Sequence, residues 1–175
     1  MNNVLKFIFV FLLLLVSCNS SKLLHTEMYK GHQILVGQAQ KSDLEKAPYS
    51  EWFSTEFKAY QPNKKAIGNL KNVINDYQIS VVMGTWCGDS QEQVPVLFKI
   101  LDLSEYTQKV TLICVPRKFK EYEPVASYDL LRVPTIIISQ NGQEKGRIIE
   151  YPMQSIETDL LKIMTTQFYK HELVK

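Results

Sequence analysis

Residues Trp86-Cys87-Gly88-Asp89-Ser90 hold the chain's clearest capacity for chemistry. Before them runs a short apolar segment, Ile79 to Met83; after them Val94, Leu97, Phe98 and Leu101 repeat at helical spacing. The pattern is strand, cysteine, amphipathic helix. A thiol at the first turn of a helix meets unpaired backbone N–H groups and the positive end of the macrodipole, and both favour the nucleophilic thiolate. Three residues after Cys87 stands Ser90, where a second thiol would be needed for an internal disulfide. The Ser90 hydroxyl is expected to donate to the Cys87 thiolate, while the Asp89 carboxylate opposes ionisation. Both residue types are also good helix caps, so they equally suit the start of the helix.

Several elements must position that cysteine. Val110 to Val115 reads as a β-branched strand, Glu121 to Leu131 as a helical or irregular crossover, and Thr135 to Ser139 as a strand after Val133-Pro134. Asn141-Gly142 then marks a hairpin into a strand from Gln143 to Ile149. Ile156, Leu160, Ile163, Met164 and Phe168 define a closing helix. Upstream, Gln33 to Gly37 suggests a short edge strand, and Ser42-Asp43-Leu44-Glu45 has the form of a capping box. Ser50 starts a short helix through Trp52, Phe53, Phe57 and Tyr60 that Gln61-Pro62 ends, and Ile67, Leu70, Ile74 and Tyr77 form another. These aromatics suit a partner surface, but at helical spacing they more often belong to a core.

Taken position by position, the chain resembles the thioredoxin superfamily. Tryptophan precedes the cysteine and Gly88 follows it, Pro95 lies eight residues after Cys87, and Val133-Pro134-Thr135 looks like the family's cis-proline loop. The resemblance covers roughly residues 68 to 170. It implies an α/β thioredoxin-like fold, with a central mixed β-sheet flanked by helices on both faces, here with an extra N-terminal helical segment. It also implies Cys87 and Ser90 as catalytic residues, with Trp86, Gly88, Val133 and Pro134 forming the substrate-binding groove and a cis Val133–Pro134 bond facing the thiol. Three positions depart from the family. Ser90 replaces the resolving cysteine, Val81 replaces the buried aspartate that assists it, and Glu150 stands where a glycine lets a bound peptide lie close.

The N-terminus points to export. Lys6 is followed by ten uninterrupted apolar residues, Phe7 to Val16, a secretory core too short to span about 30 Å of hydrocarbon. Leu15-Val16-Ser17-Cys18 resembles a bacterial lipobox, which implies diacylglyceryl transfer to the Cys18 sulfur and cleavage before it. An ordinary cleaved signal peptide or an uncleaved anchor are the alternatives, and each still exports the domain. The expected organisation is a lipoprotein signal peptide over 1–17, a lipid-anchored flexible tether over 18–32, and a single thioredoxin-like domain over 33–175. The expected location is the bacterial cell envelope, facing the periplasm.

The charge balance argues against nucleic acid as a partner. Of 20 basic and 18 acidic side chains, only Lys6 falls in the signal segment, which leaves a nearly neutral domain. Lys64-Lys65 and the cluster Arg117, Lys118 and Lys120 read as solvated faces, or as contacts to headgroups beside the anchor. Cys114, set among aliphatic residues of a strand, reads as buried packing, with a Cys87–Cys114 disulfide the lesser alternative. His25, His32 and His171 show no ligand spacing, so no metal is expected. No cofactor is expected either. Direct peroxidase action is disfavoured, because peroxiredoxins typically carry a threonine three residues before the reactive cysteine, whereas Thr85 is two before Cys87.

The functional expectation is a membrane-tethered monothiol oxidoreductase whose Cys87 forms mixed disulfides with exported proteins or small thiols, to be resolved by an external thiol. A thioredoxin-fold binding module without redox turnover is the alternative. No feature of the chain specifies an oligomeric state.

Overall fold

The computed structural model describes residues 23–166 and Tyr169. The signal segment, Cys18, Phe168 and His171 lie outside the described residues.

Six strands form one sheet in the order β1-β2-β4-β3-β5-β6. They are β1 (His25–Tyr29), β2 (His32–Ala39), β3 (Gln78–Met83), β4 (Thr111–Cys114), β5 (Thr135–Gln140) and β6 (Gln143–Ile149). Among them β3 and β4 pair in parallel and the other neighbours antiparallel, so the sheet is mixed. β3 is central, and Val81, Val82 and Met83 are fully buried, which is why this segment reads as a continuous apolar run and not as an alternation.

Alternation divides the two faces. Ile79, Val81 and Met83 of β3 join Leu112 and Cys114 of β4 and Ile136 and Ile138 of β5 in the main core. That face is covered by α1 (Lys41–Leu44), α2 (Ser50–Ala59), α3 (Lys64–Leu70), α4 (Gly88–Leu103) and α5 (Ile156–Thr165). Each fully buried Leu or Ile there stabilises by about 1.5–3 kcal/mol relative to exposure. The opposite face carries a smaller cluster of Val82, Val115, Val125 and Val133, and two 3-10 turns, Phe119–Glu121 and Glu123–Tyr128, cover it. The thioredoxin-like α/β architecture is therefore present, and the crossover takes the irregular form. Pro124, at the start of the second turn, has no N–H to extend an α-helical ladder.

Four upstream expectations need correction. The tether read over 18–32 contains β1, and Gln33 to Gly37 is no edge, because β2 lies between β1 and β4. Most of β1 is exposed, so main-chain pairing holds it in place and leaves no apolar alternation to read. The helix inferred through Ile67 and Tyr77 ends at Leu70, and Ile74–Asp76 is a 3-10 turn. Here Asn75 Oδ1 accepts from Thr107 N and Oγ1, both at 2.9 Å, which ties the turn to the segment after α4. Ile67, Leu70, Ile74 and Tyr77 are nonetheless all buried. Lastly, the box at α1 is closed by Asp43, which accepts from Gln40 N at 3.0 Å, so the helix begins before Ser42.

The N-terminal helices are locked to the rest by a buried carboxylate. Glu157 of α5, 1% exposed, accepts from the Tyr60 hydroxyl at 2.9 Å and from Asn63 N at 2.8 Å. Phe53 is buried, with Trp52, Phe57 and Tyr60 partly buried against the core.

Candidate active site

Cys87 is the N-cap residue of α4, with extended backbone (φ −99°, ψ 123°). Its backbone carbonyl accepts the first helical bond, from Gln91 N at 3.0 Å, while its side chain caps nothing. Cys87 is partly exposed at the helix start and is a free thiol. Asp89 and Ser90, both capable caps by type, instead sit within the first turn. The thiol donates to the Val133 carbonyl at 3.4 Å, across a cis Val133–Pro134 peptide bond. The cysteine and the proline loop, 46 residues apart in sequence, thus meet.

The loop leading to the thiol is held on several sides. Thr85 Oγ1, almost fully buried, accepts from Leu35 N of β2 at 3.0 Å, and the Gln91 side-chain amide donates to Thr85 O at 2.8 Å. Trp86 Nε1 donates to Val115 O at 2.8 Å. The Trp86 ring stacks on Phe119, with ring centres 6.5 Å apart, and the Arg117 guanidinium lies 4.4 Å from the indole centre. Gly84 makes this approach possible, since a Cβ there would lie 2.4 Å from the indole.

Ser90 is placed differently from its expected role. Its side chain is buried and accepts from Gly84 N at 3.3 Å, and it makes no hydrogen bond to the Cys87 sulfur among the described residues. Asp89 is also engaged elsewhere. The Tyr151 hydroxyl donates to Asp89 Oδ1 at 2.8 Å and to Glu92 Oε2 at 3.3 Å, and the bond to Asp89 heads the causes that push the phenol upward from its ordinary value.

Glu150, the replacement for the family's glycine, adopts the left-handed backbone conformation at φ 59°. There its N–H donates to Pro134 O at 2.7 Å and its carboxylate accepts from Arg132 at 2.5 Å. A non-glycine residue held in this region costs of the order of 1–2 kcal/mol, which those two contacts offset. This position thus carries a left-handed backbone and a side chain beside the proline loop.

Beside Cys87 opens a cavity of about 650 Å³. Cys87, Trp86 and Gly88 line it from the active-site loop, Tyr29, Lys30 and His32 from the β1–β2 turn, Trp52 from α2 and Arg117 from beyond β4. Val133 and Pro134 lie outside its lining and meet the sulfur from another side. Sequence reasoning missed Lys30, His32 and Arg117. Lys30-Gly31 carried a usable signal, since both residues have positive φ (48° and 81°), as a two-residue I′ hairpin requires. For Arg117 the sequence holds none.

Cys114 is fully buried and free, and burial pushes its thiol up to about 12. It therefore stays protonated at neutral pH and shielded from reagents. Among the described residues, no three or more His, Cys, Asp and Glu side chains come together as a metal site would need.

A thiol at a helix N-cap, opposed by the Val133 carbonyl just before a cis-proline on a β3-centred mixed sheet, is the arrangement of a thioredoxin-type site. Residues 40–162 match the sequence profile of a family described as thioredoxin, and the chain belongs to that family. No curated protein matches it in sequence. Among solved structures it is similar to a protein of unknown function from Pseudomonas aeruginosa, at 13% identity and a TM-score of 0.53, covering 72% of this chain and 80% of that one. It also matches mitochondrial thioredoxin 3 from Saccharomyces cerevisiae, at 19% identity and a TM-score of 0.37, covering 62% of this chain and 96% of that one. At 13% identity the likeness to the Pseudomonas protein concerns the fold alone.

Proposed function

We propose that this protein is a monothiol thiol–disulfide oxidoreductase whose nucleophile is Cys87. The observation that carries the reading is the placement of a partly exposed, free thiol at the N-cap of α4, 3.4 Å from the Val133 carbonyl and open to a cavity. In this reaction the Cys87 sulfur attacks one sulfur of a disulfide, the old S–S bond breaks as the new one forms, and the departing sulfur takes up the proton that Cys87 has lost. A second, external thiol then attacks the mixed disulfide and restores Cys87. With Ser90 in place of a resolving cysteine, the intermediate persists until that thiol arrives.

The same reading places the domain in the bacterial envelope, facing the periplasm and tethered through lipid on Cys18. It draws support from the apolar run Phe7 to Val16 and from Leu15-Val16-Ser17-Cys18, all outside the described residues. Among the described residues no helix is long and apolar enough to cross a membrane. Exported proteins or small thiols are the proposed partners.

The test is to quench cells with acid, isolate the protein and identify what is disulfide-linked to Cys87. A bound thiol or protein that an added thiol releases is expected. A Cys87 found only free, and unreactive toward disulfides in the purified protein, would replace this reading with that of a binding module.

A further inference from the structure

We propose that the cavity beside Cys87 is a subsite for a low-molecular-mass disulfide bearing carboxylates, with Lys30 and Arg117 as its anion-binding residues. The inference rests on the reading of Cys87 as a disulfide-exchanging nucleophile and specifies its substrate class.

Three observations converge. First, the cavity's charge has one sign: Lys30 and Arg117 line it, and no aspartate or glutamate does. Of the acids close in sequence to lining residues, Asp89 accepts from the Tyr151 hydroxyl and Glu27 lies 3.2 Å from the His25 ring. Second, neither cation has an ion-pair partner among the described residues. Each lies over an aromatic ring, Arg117 at 4.4 Å from the centre of Trp86 and Lys30 at 5.6 Å from that of Tyr29. Ring contacts of this kind hold a cation in place while leaving its N–H donors free, and a guanidinium matches a carboxylate through paired hydrogen bonds. Third, a volume of about 650 Å³ suits a small molecule, whose sites usually enclose about 300–1,000 Å³. Trp52 and Trp86 add apolar area to the same lining.

A disulfide with carboxylates on each half would bring its S–S bond to Cys87 while its anionic ends meet Lys30 and Arg117. Cys87 then bonds to one half, and the other half leaves as a thiol carrying the proton. A second molecule of that thiol releases the adduct and regenerates the original disulfide.

The experiment measures, on the full-length chain, the rate of mixed-disulfide formation at Cys87 with oxidised glutathione (anionic), 2-hydroxyethyl disulfide (neutral) and cystamine (cationic). The expected result is that the glutathione to 2-hydroxyethyl rate ratio falls by up to about fivefold for each of Lys30→Gln and Arg117→Gln. In Arg117→Glu the cystamine ratio rises. In the unaltered protein, the glutathione ratio falls as salt is raised from low ionic strength to about 0.5 M, where screening shortens the reach of each charge. Ratios that move with neither substitution nor salt overturn the subsite and leave Cys87 chemistry standing. Failure of Cys87 to react with all three disulfides overturns both.

Discussion

The hydroxyl of Ser90 accepts a hydrogen bond from the backbone N–H of Gly84 at 3.3 Å and makes none to the thiol three residues before it. Ser90 is fully buried, so in this arrangement it supports the loop that delivers Cys87, and its expected role of donating to the sulfur is not seen. Ser90→Ala should lower stability by about 1–3 kcal/mol, the cost of leaving a buried N–H unpaired. Chemical denaturation measures this. Destabilisation should exceed any slowing of Cys87 alkylation; a large loss of thiol reactivity in a fully stable variant would return Ser90 to the sulfur.

Ser90→Cys tests the same spacing from the opposite side. Positions three apart share a helix face, so the variant should form an internal disulfide and lose both reactive thiols on oxidation. Thiol titration before and after reduction reads the outcome, and two thiols that persist under oxidant would contradict it.

Gly84 and Trp86 are as closely matched as any pair at the site. A methyl at position 84 would lie 2.4 Å from the indole, so Gly84→Ala must displace Trp86 and break its bond to Val115 O. A cost of about 1–3 kcal/mol is expected from overpacking. Trp86 fluorescence should shift as the ring leaves Arg117 and Phe119, and an unchanged spectrum would rule out the displacement.

Cys114 should make the protein alkali-sensitive. Burial raises its folded-state value from 9.0 to about 12, so between those limits the unfolded chain loses a proton that the native state keeps. Stability from this group is complete below about 9 and falls as pH rises toward about 12. Raised tyrosines such as Tyr60 and Tyr169 add a loss of the same sign. The difference between the unaltered protein and Cys114→Ala isolates the thiol: unfolding free energies should converge with rising pH. Below the window, of the two domain thiols Cys87 should alkylate in the native state and Cys114 only on unfolding.

Anchoring is testable apart from the redox chemistry. If Cys18 carries lipid, Cys18→Ala should accumulate as an unprocessed precursor that takes up no labelled fatty acid. Normal maturation of that variant to a soluble exported form would remove the lipoprotein reading.

The sequence by itself determined the elements whose signals are local. A strand before Cys87, a helix after it, the Asn141-Gly142 hairpin and the proline loop each follow from patterns within a few residues. The family resemblance then joins them, and the structure places Cys87 against Val133 as that resemblance implies. Burial of Cys114 was legible for the same reason, since its strand neighbours are aliphatic.

Tertiary structure alone decided what surrounds the thiol. β1 is an edge strand with polar, mostly exposed side chains, so its place depends on pairing with β2, which no periodicity records. Thr85 meets Leu35 across 50 positions, and Arg117 meets Trp86 through the packing of the chain after β4. The side chain of Ser90 turned on a choice between two partners within reach of one helix turn, the thiol or the Gly84 N–H. Burial settled it, because an unpaired backbone donor inside the protein costs more than a thiol that can face solvent.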